Sequence, residues 1–261
     1  MLAIQKEIRN LENKEKAILL QKFFKTGKGE YAYGDIFLGI RVPETRKIVN
    51  KYKDLSLYEL KILIKSEYHE ERLAALLILV KQSQKASEDS LKKINELYLS
   101  NTKYINNWDL VDLSAEHIVG KYLFTNRGTV PLRGQSPVTV ATRKGTDPFL
   151  KEGLSPLITQ KLAKSDFLWD RRIAMLSSFY FIKKNEPQIA FDIADILIND
   201  SHDLIQKAVG WMLREIGKRC SQELEEEFLK KYYKTMPRTM LRYAIEKFEE
   251  DKRQKYLKNE I

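Results

Sequence analysis

Apolar residues recur at helical spacing through most of this chain. Positions three or four residues apart fall on one face of a helix, and such stripes predict amphipathic helices. The predicted stretches are 4–24, 57–64, 70–81, 87–99, 107–123, 157–164, 169–183, 189–198, 204–219, 224–233 and 239–247. Helical periodicity dominates, so the predicted fold class is all-α.

Residues that favour helix starts support several of these boundaries. Pro43 and Glu44 place proline and an acid in the first turn of one further helix. Ser87 is suited to cap the helix that follows it, and Asn106 or Asn107 is suited to cap the next one. These residues indicate helix starts independently of the apolar pattern.

Four segments of the chain share one register. Each places a basic residue ahead of two apolar positions: Glu71-Arg72-Leu73-Ala74, Arg171-Arg172-Ile173-Ala174, Gln206-Lys207-Ala208-Val209 and Leu241-Arg242-Tyr243-Ala244. The last three are 35 residues apart, from 172 to 207 to 242, and Trp108-Asp109-Leu110-Val111 fits 37 residues after the first. A period of 35–37 residues in a helical sequence predicts stacked helix pairs, which form an α-solenoid with a long concave face.

The basic residues of this repeat predict a binding surface. One repeat position maps to one row along a solenoid. The expected row contains Arg72, Arg172, Lys207 and Arg242, with Asp109 interrupting it. Because a row of bases suits the phosphates of a nucleic acid, the sequence predicts a concave basic groove.

A second basic stripe runs along the helix predicted at 204–219. Lys207, Trp211 and Arg214 lie at positions i, i+4 and i+7, and Lys218 extends the stripe by one turn. Burying these charges would be unfavourable, so the stripe is expected to be exposed or to border the surface. Bases around an aromatic ring suit a phosphodiester backbone with a stacked sugar or base, although a solvated helix with one packed tryptophan has the same spacing.

Trp108 and Asp112 are four residues apart, so they share one face of a helix. If that face points into the core, Trp108 is a packing residue and Asp112 is a paired acid. If it lines the concave surface, the two residues form a stacking platform beside a negative charge. Spacing alone leaves both interpretations open.

Residues 125–153 break the helical pattern. They hold four of the chain's 11 glycines and three of its 7 prolines, with five bases against two acids. The step from Asp109 to Arg172 is 63 residues, which is 26–28 longer than the other steps. We therefore interpret residues 125–153 as one irregular loop inserted in a single domain that spans residues 1–261. The loop is either a solvated decoration or a basic contact to nucleic acid.

Composition indicates the kind of binding partner and the cellular compartment of this protein. The chain has 46 Lys and Arg residues against 36 Asp and Glu residues, a net charge of +10. This charge suits a polyanionic partner but also occurs in lysine-rich proteomes. The sequence has no apolar run of 18 residues and no signal-peptide pattern, and Cys220 is its one cysteine. We expect a cytoplasmic monomer without a membrane segment.

Motifs for cofactors are missing from the sequence. It has no GxxxxGKS loop for phosphates, no paired-cysteine spacing and no His-x-x-x-His pair. The three histidines, His69, His117 and His202, are scattered along the chain. We expect neither a metal nor a nucleotide cofactor.

Five segments of the chain carry a family resemblance. They are FLGIRVPETRK (37–47), NWDLVDLSAEHIVGKYL (107–123), WDRRIAMLSSFYFIKK (169–184), IQKAVGWMLREIGKR (205–219) and MPRTMLRYAIEKF (236–248). With the helices between them, they resemble the AlkD-type DNA alkylation-repair glycosylases, and the residues around Gly210-Trp211 are absent from generic HEAT repeats. The resemblance implies HEAT-like helix pairs and a metal-free enzyme that removes positively charged N3- and N7-alkylated purines from duplex DNA.

The resemblance implies roles for three residues at the chemical centre. Asp112 matches the family's catalytic carboxylate, and Trp108 and Trp211 match two tryptophans beside the deoxyribose of the lesion. An alkylated purine with a positive charge is already a good leaving group, so a general acid is unnecessary. Bond cleavage builds positive charge on the sugar, which a fixed carboxylate stabilises while it orients water.

Further residues are implied to bind DNA. Arg172 and Arg214 match arginines that grip the backbone, and Tyr31 matches an N-terminal aromatic residue after a one-residue gap. With the basic row and stripe, the DNA-binding candidates are Tyr31, Arg172, Lys207, Arg214, Lys218 and Arg242. The inserted loop leaves this surface intact if it extends outward, but it would move Asp112 from its partners if it displaced a helix.

Two other functions fit the same pattern. A non-catalytic HEAT-repeat protein that binds distorted or branched DNA would bind without releasing a base. A protein-interaction scaffold would not bind duplex DNA at moderate salt. Fold alone does not decide among these functions, and the set Trp108, Asp112 and Trp211 favours the enzyme.

Overall fold

Helices are the main regular elements in the part of the chain that the structure describes. This computed structural model describes residues 1–127 and 154–261, in which there is no β-strand and one isolated bridge, between Ile36 and Tyr68. The all-α prediction is therefore confirmed. No helix in these two segments is long and apolar enough to cross a membrane.

The chain divides into two compact units, Met1–Val119 and Gly120–Ile261. The prediction of a single domain over residues 1–261 stays a prediction. Within the predicted insertion, a helix ends at Thr125 and is followed by Asn126 and Arg127, whereas the rest lies outside the described residues.

Seven α-helices build the first unit. They are α1 (Ala3–Arg9), α2 (Lys14–Phe23), α3 (Val42–Lys51), α4 (Leu57–Ile64), α5 (His69–Lys85), α6 (Glu88–Leu99) and α7 (Trp108–Asp112). The predicted caps are confirmed, because Ser87 Oγ accepts from the Ser90 amide and Asn107 Oδ1 accepts from the Trp108 amide. The helix predicted at 107–123 is interrupted, since a turn and a π-helical segment, Glu116–Gly120, follow α7.

Helix α5 is the central element of the first unit. It packs against α3, α4, α6 and α7, and every residue from His69 to Val80 is buried. Burial on all sides suits the apolar residues from Leu73 onward. The helix nevertheless begins with four charged or titratable residues, His69, Glu70, Glu71 and Arg72. Such residues are rarely buried unless they have hydrogen-bond or ionic partners. The partners of these four residues hold the connector 35–40 and α7 in place.

Nine α-helices occur in the described residues of the second unit. They are α8 (Lys121–Thr125), α9 (Leu154–Ala163), α10 (Leu168–Ser177), α11 (Phe179–Ile182), α12 (Gln188–Leu197), α13 (Asp203–Arg219), α14 (Gln222–Tyr232), α15 (Arg238–Ala244) and α16 (Glu250–Lys258). Helix α13 is central here, because it packs against α10, α12, α14 and α15.

Gly210 permits the close packing of α13 and α15. A Cβ added at this position would lie 2.4 Å from the Met240 carbonyl oxygen and 2.6 Å from Tyr243 Cβ. Both distances are below van der Waals contact, so any side chain would push the helices apart. The close packing of α13 and α15 therefore explains why a glycine precedes Trp211.

Helix starts confirm the shared register of three basic residues. Each lies five residues after the N-cap of its helix: Phe167 to Arg172, His202 to Lys207 and Pro237 to Arg242. In α7, the same distance from the N-cap Asn107 reaches Asp112. Asp109 lies only two residues after that cap, so its assignment to the row is wrong. The acid that shares the register of the three bases is Asp112.

Arg72 is also wrongly assigned to the row, by one residue. It lies four residues after its N-cap, Tyr68, and its buried Nη1 donates to the carbonyls five and six residues before it. Arg171 donates to the carbonyls five and six residues before it in the same way. Arg72 therefore corresponds to Arg171. Because Arg171 and Arg172 are adjacent bases, the sequence pattern allowed either of them to be aligned with Arg72.

Candidate functional site

Trp108 occupies the first position of α7, beside the apolar core of the first unit. Its ring stacks on Phe24 with centroids 5.2 Å apart and meets Phe23 edge-on at 6.0 Å. The side chain is only partly buried, so one part of the indole packs and another part faces solvent. Trp108 is therefore a packing residue that keeps an accessible surface, and its role as a stacking platform on the concave surface stays a prediction.

Asp112 is the last residue of α7, one turn after Trp108. It is partly exposed, as Trp108 is, so their shared face lies at the border of the core. Helix α7 has five residues, and an isolated helix of this length is not stable in water. The positions of Trp108 and Asp112 therefore depend on the tertiary contacts that hold this single turn.

A buried ionic network contacts α7 at Asp109. His69 Nε2 lies 2.9 Å from Asp109 Oδ2, and His69 Nδ1 lies 2.8 Å from Asp35 Oδ2. Asp35 also accepts from Arg72, whose Nη2 is within hydrogen-bond distance of Asn106 as well. His69 and Asp35 are buried, and the two carboxylates balance the charges of an imidazolium and a guanidinium.

The surroundings of His69 fix its charge state. Carboxylates accept hydrogen bonds when ionised, so an imidazole between two of them must carry a proton on both nitrogens. Burial lowers the pKa of His69, but Asp109 and Asp35 raise it further, to about 9. Burial acts on Asp35 in the opposite sense, yet His69 and Arg72 hold its pKa below the ordinary value. At neutral pH, His69 is therefore an imidazolium.

Two further buried acids fasten the start of α5 to its neighbours. Glu70 accepts hydrogen bonds from the amides of Leu38, Gly39 and Ile40, at 2.9, 2.9 and 3.1 Å. Glu71 accepts from Arg9 and other donors, and its pKa is held below the ordinary value, since the bonds from Arg9, Ser66 and Gln5 outweigh burial. Sequence reasoning missed this network, because it placed Arg72 in an exposed row. The signal was the run of four charged residues immediately before a long apolar stretch.

The basic stripe of α13 borders the surface of the second unit, as predicted. Lys207, Trp211 and Arg214 are partly buried, and Lys218 is exposed. Trp211 lies 6.1 Å from the ring of Phe179 between centroids. One side of the indole thus lies near Phe179, and basic residues lie one turn before it and about one turn after it on α13.

Two bases of this stripe form ion pairs with acids of the same unit. Lys207 Nζ lies 2.6 Å from the Asp203 carboxylate, one turn earlier on α13. Arg214 forms an ion pair with Glu246, which follows α15. Partly exposed pairs of this kind contribute about 0–1 kcal/mol, so a phosphate can replace the carboxylate.

The remaining DNA-binding candidates differ in exposure. Arg242 is exposed on α15, and Tyr31 is partly buried in the connector between α2 and α3. Arg172 is buried, and its Nη1 donates to the Leu204 carbonyl. Arg172 therefore differs from the exposed row that the sequence predicted, although it shares the register. In residues 1–127 and 154–261, no cluster of three His, Cys, Asp or Glu side chains is arranged to hold a metal ion.

Comparisons with known proteins give a family match over nearly the whole chain. A family model described as DNA alkylation repair enzyme matches residues 4–133 and 142–248, and the gap falls inside the predicted insertion. A comparison with curated proteins found no match.

Three solved structures are similar to this chain. A predicted DNA alkylation repair enzyme from Enterococcus faecalis is 17% identical with a TM-score of 0.62, over 92% of this chain and 97% of that chain. The protein smu.31 from Streptococcus mutans UA159 is 19% identical with a TM-score of 0.50, over 90% and 98%. AlkD2 from Streptococcus mutans is 20% identical with a TM-score of 0.49, over 91% and 99%. The first two likenesses support the helical fold.

Proposed function

Because this chain belongs to the family of DNA alkylation repair enzymes, we propose that it excises positively charged N3- and N7-alkylated purines from duplex DNA. It would act as a metal-free monomeric glycosylase in the cytoplasm. The observation that carries the proposal is Asp112. An acid takes the register position at which three other helices carry bases, one turn after a partly exposed tryptophan. A position chosen for DNA affinity alone would carry a base there, since a carboxylate repels phosphate.

The proposed chemistry follows from the charge of the substrate. The alkylated base leaves as a neutral purine, so the carboxylate of Asp112 would act on the sugar. It would stabilise the oxocarbenium-like sugar and orient the attacking water. Trp108 and Trp211 are each proposed to stabilise the cationic sugar, because indole faces attract cations. Phe24 supports Trp108 and Phe179 lies beside Trp211, so both rings are restrained before DNA binds.

The bases of the second unit are proposed to bind the DNA backbone. Lys207, Arg214, Lys218 and Arg242 are the accessible candidates, whereas Arg172 would act from a buried position. Tyr31 is proposed to contact DNA from the first unit.

Replacing Arg214 or Arg172 with alanine is expected to weaken DNA binding and to reduce its salt dependence. Each lost phosphate contact should lower the slope of log K against log salt by about 0.9. Fluorescence anisotropy of a labelled duplex at several salt concentrations measures this slope. Lys230→Ala, on α14, is the control and should leave the slope unchanged. Identical slopes for the Arg214 variant and the wild type would contradict the proposed contact.

Replacing Glu246 with glutamine is expected to strengthen DNA binding. The substitution removes the carboxylate that competes with phosphate for Arg214. Because such a pair is worth up to about 1 kcal/mol, affinity should rise up to about fivefold. Glu227→Gln, an exposed substitution on α14, removes the same charge at a position without a DNA-binding candidate beside it in sequence. Equal gains in both variants would mean that only the overall charge matters.

A direct assay separates the enzyme from the alternative. Purified protein is incubated with methylated duplex DNA, and free purines are measured by chromatography. Release of 7-methylguanine or 3-methyladenine supports the glycosylase. Binding to this DNA without release would favour the non-catalytic protein for distorted or branched DNA.

A further inference from the structure

His69 is connected to the candidate site by two independent routes. The first is ionic and runs from Nε2 to Asp109, the second residue of α7. The second is aromatic, because the His69 ring stacks on Phe37 with centroids 4.1 Å apart and Phe37 stacks on Phe24 at 4.9 Å. Phe24 in turn stacks on Trp108. Both routes therefore end on the first turn of α7.

Asp109 depends on His69 for its hydrogen bonding. In the described part of the chain, its Oδ1 is buried without a partner, and Oδ2 meets His69. The Asp109 side chain is 15% exposed, and a carboxylate so largely removed from water is held mainly by its charged partner. The carbonyl of Asp109 also accepts from the amide of Leu113, directly after Asp112. A shift of Asp109 would therefore move both ends of this single helical turn.

We infer that His69 is a positioning residue, which acts through Asp109 to fix the Trp108 indole and the Asp112 carboxylate in their working geometry. This inference rests on the proposed function. The imidazolium does not touch substrate, and it neither gives nor accepts a proton during the reaction. Its raised pKa agrees with a charge that persists through neutral pH.

The structure offers a matched pair of variants for this inference. Asp109→Asn and Asp35→Asn each remove one of the two carboxylates that contact His69, and each keeps the shape of the side chain. Only Asp109 belongs to α7, whereas Asp35 lies in the connector before α3. If the network only stabilised the fold, the two substitutions would have the same effect on base release and on quenching.

The first measurement compares base release with DNA affinity. Under single-turnover conditions with saturating protein, Asp109→Asn should release 7-methylguanine about 10- to 100-fold more slowly than the wild type, because small displacements of reacting groups have effects of this size. Its Kd for DNA should stay within about twofold, and Asp35→Asn should keep a rate within about threefold. Equal rate losses in the two variants, or an unchanged rate in Asp109→Asn, would overturn the inference.

The second measurement does not depend on activity. In a Trp211→Phe background, the remaining indoles are Trp108 and the buried Trp169, so acrylamide quenching reports mainly on Trp108. Asp109→Asn should increase the quenching constant about twofold or more, and Asp35→Asn should leave it nearly unchanged. If the wild type releases no base, the proposed function fails, and this quenching comparison still tests whether the contact between His69 and Asp109 fixes the Trp108 indole. Equal quenching in both variants would overturn it.

A third variant covers the case in which Asp109→Asn does not fold. Asp109→Glu keeps the charge and displaces the carboxylate by one methylene. Circular dichroism should show a folded protein, and base release should be slowed by about tenfold. A folded Asp109→Glu protein with the wild-type rate and wild-type quenching would overturn the inference.

Discussion

Asp112→Asn is expected to abolish most base excision while DNA binding is kept. A preorganised charge that acts on a developing charge in the transition state is worth about 3–4 kcal/mol in comparable cases. Because about 1.4 kcal/mol corresponds to tenfold in rate, release of 7-methylguanine should slow about 10²- to 10³-fold. The amide has the same shape, and it removes a negative charge near phosphate, so affinity should be equal to or slightly above that of the wild type.

The measurement for Asp112 is a single-turnover assay with excess protein over methylated duplex. Anisotropy on the same duplex gives the affinity, so chemistry and binding are separated. Asp89→Asn, in the first turn of α6, is a matched control, because it removes an exposed carboxylate of the same unit. Release of the base by the Asp112 variant at the wild-type rate would refute its assignment as the catalytic carboxylate.

Glu225→Gln is expected to stabilise the protein at neutral and alkaline pH. Glu225 is buried on α14, and in the described residues its Oε1 has no hydrogen-bond partner. Its Oε2 fills the space beside Gly217, where an added Cβ would lie 1.8 Å away. Burial and the nearby Glu226 raise the pKa of Glu225 to about 8, whereas Arg214 acts in the opposite direction. The folded state therefore holds a neutral carboxyl group at pH 7.

The sign of the pH dependence follows from this raised pKa. Below the ordinary value of 4.5, the Glu225 carboxyl is protonated in both the folded and the unfolded chain. As pH rises, the unfolded chain ionises first, so the wild type loses stability until the folded state also ionises near pH 8. At about 1.4 kcal/mol per pH unit, the loss between pH 4.5 and 7 is roughly 3 kcal/mol. Glutamine does not titrate and avoids this loss.

Urea unfolding at pH 5, 7 and 8.5 checks this prediction for Glu225. The free energy of unfolding of Glu225→Gln relative to the wild type should increase from the first to the last pH. Glu227→Gln, exposed on the same helix, should give a difference that does not change with pH. A constant difference for the Glu225 variant would mean that its carboxyl is ionised in the folded state.

The sequence determined the helices and most of the repeat. Apolar periodicity and capping residues are local properties, so they predicted the all-α fold, the starts after Ser87 and Asn107, and the 35-residue register of Arg172, Lys207 and Arg242. The border position of the α13 stripe also followed from the sequence, because two bases around an indole cannot be buried together. The catalytic and DNA-binding roles of the candidate residues stay predictions.

Only the tertiary structure decided where the charged residues at the start of α5 lie. The sequence pattern predicted Arg72 in an exposed basic row, whereas the fold buries it against Asp35. It likewise assigned Asp109 to that row, although Asp109 meets His69, 40 positions away in the chain. Burial of a charge depends on partners that are distant in sequence, and no local pattern records them. For the same reason, periodicity alone could not predict that α7 is held by an ion pair between Asp109 and the His69 imidazolium.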